Sequence, residues 1–121
     1  MRDFKDLTIW QRGMDVVETT YDLIALLPDS ERFGLRTQMA RCSVSIPSNI
    51  AEGCSRKSDK HFIQYLETAL GSTFELQTQA LIVQRRFSVP TELIEKLNSQ
   101  LEEERKMLAR FIANLSKSLP S

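Results

Sequence analysis

Three side chains in this sequence are suited to proton transfer, thiol chemistry or soft-metal binding: His61, the single histidine, and the two cysteines Cys42 and Cys54. At about 1.5 Å rise per residue, a continuous helix would hold the cysteines roughly 18 Å apart, far beyond disulfide reach. They are expected to be free, buried thiols, inert without a basic neighbour. His61 lies among Arg56, Lys57, Asp59 and Lys60, which reads as the solvated start of a helix and not as a general base. One histidine and two separated cysteines do not make a zinc site. A carboxylate di-metal bundle needs Glu three residues before His, and that position is Ser58. Gly53 and Gly71 stand alone, outside any phosphate-cradling glycine motif. No catalytic residue, metal or cofactor is expected, and the chain reads as a non-enzyme.

Binding chemistry has more footholds. The chain is neutral, with 16 Lys and Arg against 16 Asp and Glu in 121 residues, so any electrostatic case must be local. Residues 1–30 hold three basic and six acidic side chains, residues 31–61 six basic and three acidic. The basic excess centres on Arg56, Lys57 and Lys60, with Arg36 and Arg41 upstream. A helix start also favours an anion through its free amides and dipole. These five residues are the candidate contacts to nucleic-acid phosphates, and assembly of several copies would multiply the patch into a positive ring. Arg85-Arg86 is a smaller basic pair.

Four segments repeat apolar residues at steps of three and four, the period of a helical seam. Leu7, Trp10, Met14, Val17, Tyr21 and Ile24 predict a helix over about 7–27, with Asp6 as N-cap and Pro28 closing it. Leu35, Met39, Cys42, Ile46 and Ile50 predict a second over 31–53, kinked at Pro47, with Ser43, Ser45 and Ser48 available to the carbonyl that proline frees. The third, 58–87, carries Phe62, Leu66, Ala69, Thr73, Leu76, Ala80, Val83 and Phe87 without interruption. A flanking row, Leu70, Phe74, Gln77 and Leu81, widens its stripe beyond one neighbour's needs, and Gly71-Ser72 suggest a close backbone approach. The fourth, 90–118, opens at Pro90 and carries Ile94, Leu97, Leu101, Leu108, Phe111 and Leu115. Glu104 occupies a seam slot there and is read as a helix edge facing water. The expected fold is all-α: one domain over 1–121, an antiparallel up-and-down four-helix bundle that self-associates through the wide stripe.

Asn49 and Glu52 fall near the inner stripe of helix two, and with Glu75 they make a candidate structural polar cluster at a helix or subunit junction, with Gln79 and Arg41 as further partners. Glu102, Glu103 and Glu104 offer an acidic surface for the competing reading, a protein-interaction scaffold without nucleic-acid binding. No apolar run approaches the ~18 residues of a membrane span, and the first six residues lack the apolar core of an export signal, so a cytoplasmic protein is expected.

Phe4-Lys5-Asp6-Leu7 with Trp10-Gln11, then Glu31-Arg32-Phe33-Gly34-Leu35 with Gln38, then the block Val44 to Gly53 with Arg56 and Ser58, resemble the bacterial 23S rRNA-intervening-sequence proteins. Phe62, Leu66, Ala69, Gly71-Ser72, Glu75-Leu76 and Thr78-Gln79 continue the resemblance, which is close over about residues 4–87. It implies a four-helix bundle assembling as a homopentamer without established enzymatic activity. The accessory variability determinant of diversity-generating retroelements is similar in fold, which implies by analogy RNA or DNA as a ligand and a reverse transcriptase as a protein partner. Cys54 stands where the family commonly has an apolar residue, which implies packing for that thiol.

Overall fold

The computed structural model describes residues 2–120. Four helices account for most of them: α1 (Thr8–Ile24), α2 (Leu35–Cys54), α3 (Asp59–Arg86) and α4 (Thr91–Lys117). Each helix packs on its chain neighbours and α4 closes back on α1, while among the described residues the backbones of the diagonal pairs stay farther apart. The result is an antiparallel up-and-down bundle of square section.

Local chemistry explains where the ends differ from the expected ones. Asp6 does not cap α1: residues Phe4–Asp6 form a 3-10 turn whose N-cap is Asp3, accepting from the Lys5 amide, and Leu7 precedes the helix without a side-chain cap. At the other end the amides of Leu26 and Leu27 bond to the carbonyls of Leu23 and Ile24, tightening the chain before Pro28. Helix α2 starts at Leu35 and not at 31, because the Glu31 carboxylate, from a preceding 3-10 turn, accepts the Leu35 amide at 3.2 Å. Ser58 caps α3, its hydroxyl oxygen accepting the His61 amide at 3.2 Å.

α2 runs from Leu35 to Cys54 with Pro47 inside it. The nearby serine hydroxyls go elsewhere than to the carbonyl proline frees. Ser43 donates to the Ala40 carbonyl, and Ser45 bonds the Ser72 hydroxyl of α3 at 2.8 Å.

The seam of α3 is buried as read, from Phe62 to Val83, and meets Met39, Ile46 and Ile50 of α2 and Ile94 to Leu108 of α4 in one core. The α1 seam is corrected. Its buried residues are Ile9, Gly13, Val16, Thr19, Thr20, Leu23 and Ile24; of the expected row only Ile24 is among them, and Met14 is left 38% and Tyr21 48% exposed. Glu104 is also corrected: it is fully buried in the core. Gly71 is exposed with nothing near it, so the close approach is made elsewhere, at Gly53.

Candidate nucleic-acid interface

The up-and-down topology puts the start of α1, the α2–α3 connection and the end of α4 at one end of the bundle. Arg56, Lys57 and Lys60 lie there. Arg56 is firmly placed: its guanidinium stacks 4.8 Å from the Tyr65 ring centroid, donates to the Tyr65 hydroxyl, and donates to Glu52 at 3.5 Å. Lys57 and Lys60 make no ion pair among the described residues. His61 is exposed, with Nδ1 2.9 Å from the capping Ser58 hydroxyl, as a solvated helix-start residue should be.

Two further cations join this end without a signal in the local sequence. Arg2 pairs with Asp59 at 3.6 Å and lies over the Phe62 ring, and Lys5 lines a shallow groove with Phe4, Ala51 and Cys54. Only the topology, which folds residues 2–6 onto the α2–α3 connection, identifies them. Asp59 in the first turn of α3 already supplies a negative charge to the helix dipole, so the lysines and not the free amides are the open cationic groups here.

Arg36 and Arg41 are not part of this patch. At about 1.5 Å per residue, Arg36 stands roughly 30 Å along α2 from Arg56 and Arg41 roughly 22 Å. Arg36 is half-buried and bonded to Asp29 at 3.2 Å, while Arg41 is exposed.

Asn49, Glu52 and Glu75 separate within the subunit. Asn49 donates to the carbonyl and hydroxyl of Ser45, and Ser45 bonds Ser72, so Asn49 belongs to an α2–α3 serine network. Glu52 faces Arg56, and Glu75 accepts from Gln79 at 3.2 Å. Cys42 donates to the Ser72 carbonyl, and burial, reinforced by Glu75, pushes its thiol up to about 12; burial also raises Cys54. Among the described residues no group of His, Cys, Asp and Glu is arranged to hold a metal.

The acidic triplet of α4 is dispersed too. Glu102 accepts from Arg105 and Gln77, with the Arg105 guanidinium holding its carboxyl below the usual range; Glu103 pairs with Arg12 at 3.1 Å, and Glu104 is buried. Two grooves stay open. Trp10, Met14, Val17, Val44, Pro47, Ser48 and Ala51 line a mainly apolar one between α1 and α2, and Phe74, Gln77, Thr78, Leu81, Asn98 and Glu102 line a mixed one between α3 and α4. In a square bundle these are opposite faces. Among the described residues no helix is long and apolar enough to cross a membrane.

Residues 5–110 match the model of the family described as 23S rRNA-intervening sequence protein. The chain belongs to that family. A similar solved structure is that of a protein with unknown function from the S23 ribosomal protein family of Bacteroides thetaiotaomicron, 24% identical, with a TM-score of 0.79 over 87% of this chain and 98% of that one. No curated protein matches. In this chain the block from Val44 to Gly53 is mainly architectural: Ile46 and Ile50 enter the core, Asn49 ties into the serine network, and Gly53 lets α3 close against α2.

Proposed function

We propose that this member of the family is a non-enzymatic, self-associating accessory protein that binds nucleic acid through the bundle end carrying Arg2, Lys5, Arg56, Lys57 and Lys60. The observation that carries the reading is the convergence of these cations from two chain segments around a rigidly held Arg56. The family's description names 23S rRNA, which makes structured RNA the first ligand to test. The expected result is binding to labelled structured RNA that weakens linearly in log salt. An Arg56→Gln/Lys57→Gln/Lys60→Gln variant should show a shallower slope, by about 0.7–0.9 for each phosphate it no longer neutralises. A folded protein that binds neither RNA nor duplex DNA at low salt would overturn the reading and favour the protein-scaffold alternative.

Self-association is supported by the two grooves and the half-exposed apolar side chains in them, Met14 in one and Phe74 and Leu81 in the other. Because they lie on opposite faces and are lined by different residues, groove-to-groove contact is heterologous, the kind that closes into a ring. Leu81, 53% exposed on α3, sits where a neighbour would cover it. Leu81→Asp and Val17→Asp are each expected to lower the mass measured by sedimentation equilibrium while leaving the helical circular dichroism unchanged. Unchanged mass in both variants would refute a groove-mediated assembly.

A further inference from the structure

The opposite end of the bundle carries a feature that the basic patch does not account for. Phe33, in the turn between α1 and α2, is 86% exposed, a bare aromatic ring in a chain with an ample core. A loose turn would let such a ring fold back onto apolar surface. This turn is braced instead. The Arg32 amide bonds the Asp29 carbonyl at 3.0 Å, the Gly34 amide bonds the Glu31 carbonyl at 3.1 Å, and Glu31 accepts the Leu35 amide. Thr37 donates to the Arg32 carbonyl, and Arg36 ties back to Asp29. The backbone beneath the ring is therefore held, and less ordering entropy remains to be lost when something stacks on it than on a loose turn.

Its surroundings define what fits. The Arg32 guanidinium lies 5.3 Å from the Phe33 centroid. Helices α2 and α3 run antiparallel with Cys42 and Ser45 opposite Ser72 and Gly53 opposite Phe62, a register that brings the last turn of α3, with Arg85 and Arg86, level with this turn. Arg32, Arg85 and Arg86 make no ion pair among the described residues. The nearby acids are partly committed: Asp29 to Arg36 and Glu31 to the α2 amide, with Glu92 in the first turn of α4 left open.

We infer that this end is a stacking site for single-stranded nucleic acid, with Phe33 as the platform for a base and Arg32, Arg85 and Arg86 as the phosphate contacts. The inference rests on the nucleic-acid reading above and extends it to a second surface and a strand class. A knob built for an apolar pocket would have apolar neighbours, whereas Phe33 stands between Arg32 and Gly34 in a polar turn. An exposed ring beside one guanidinium, with two further arginines at the same end of the bundle, matches an unpaired base and its flanking phosphates, because duplex bases are already stacked on each other.

The test measures binding of labelled uridine and adenosine homopolymers and of a blunt duplex to the wild type, Phe33→Ala, Phe33→Tyr and an Arg85→Gln/Arg86→Gln variant. Phe33→Ala is expected to weaken single-strand binding roughly five- to a hundredfold at an unchanged salt slope, while leaving duplex binding alone. Phe33→Tyr should bind as the wild type does, and the double arginine variant should reduce the salt slope by about 0.7 for each phosphate left without its arginine. If Phe33→Ala binds single strands normally while the Arg56/Lys57/Lys60 variant does not, this inference falls and the nucleic-acid reading stands. If the wild type binds no nucleic acid, both fall. A Phe33→Ala variant that changes sedimentation mass, and not strand affinity, would make the ring a contact between copies and overturn the inference.

Discussion

Replacing Glu104 with leucine is expected to stabilise the bundle by about 3 kcal/mol at pH 7, and by progressively less as the pH falls toward 5. Glu104 has no exposed surface and neither carboxylate oxygen has a hydrogen-bond partner among the described residues. The oxygen Oε2 lies over Gly13 of α1, only 3.0 Å from where a Cβ there would be, beside Ile46 and Pro47 of α2. Burial is the main cause that pushes its carboxyl up to about 8 from an ordinary 4.5; Glu103 and Asp15 add to the rise and Arg12 opposes it. The folded protein thus holds a proton that the unfolded chain releases between those two values. Stability from this group is complete below the unfolded value, declines as the pH rises, and levels off above the folded one. Leucine at 104 continues the Leu101 and Leu108 seam and removes the titration. Chemical unfolding of wild type and variant at several pH values between 5 and 9 checks this, since the other carboxylates cancel in the difference. Glu104→Gln keeps the shape and should likewise abolish the slope. A pH-independent difference in both variants would show that Glu104 is ionised and paired in the folded state.

Glu104 also marks where pattern reading stops. A charged residue in a seam slot reads as an edge facing water because burying an ion is costly, but a carboxyl that stays protonated escapes most of that cost. Whether it is neutral depends on what sits opposite, and Gly13 is 91 positions away in sequence. The α1 seam was obscured for a related reason. Trp10, Met14, Val17 and Tyr21 outweigh Gly13 and Thr20 in apolar bulk, yet the small row is the one that lets α1 settle against α2 and α4. Trp10, Met14 and Val17 then line the outer groove. On α3 the row Phe62, Leu66, Ala69, Thr73, Leu76, Ala80 and Val83 repeats without interruption, so periodicity found the buried face even with Phe74 and Leu81 left half-exposed beside it. In the candidate site, the central Arg56, Lys57 and Lys60 were legible because they are close together in the chain. Arg2 and Lys5 needed the topology, and the distance of Arg36 and Arg41 from the patch follows from α2 being one continuous helix from Leu35 to Cys54.

The same substitution, glycine to alanine, is expected to act with opposite sign in α2 and α3. At Gly71 a methyl group would meet nothing within 4 Å, so Gly71→Ala should stabilise by about 0.5–1 kcal/mol through backbone entropy alone. At Gly53 the methyl would lie 2.7 Å from Phe62 Cδ1 and 2.9 Å from Tyr65 Cβ, closer than packed atoms come. The propensity gain is overcome, and Gly53→Ala should destabilise by about 1–3 kcal/mol. Phe62 cannot simply swing away, because its ring is buried and packs edge-on against Phe111 at 5.8 Å. Trimming it, as in Phe62→Leu, removes one obstacle but leaves Tyr65 Cβ, which is fixed to the α3 backbone. The double variant should therefore lose less than the sum of the single losses without returning to the wild-type value, a coupling that urea midpoints can read. Equal stabilisation by alanine at 53 and 71 would refute the close approach. The effect reaches the proposed RNA contact as well, since Arg56 is anchored on the ring and hydroxyl of Tyr65. A methyl that displaces the Tyr65 Cβ displaces the guanidinium with it, so Gly53→Ala should weaken RNA binding even where the protein remains folded.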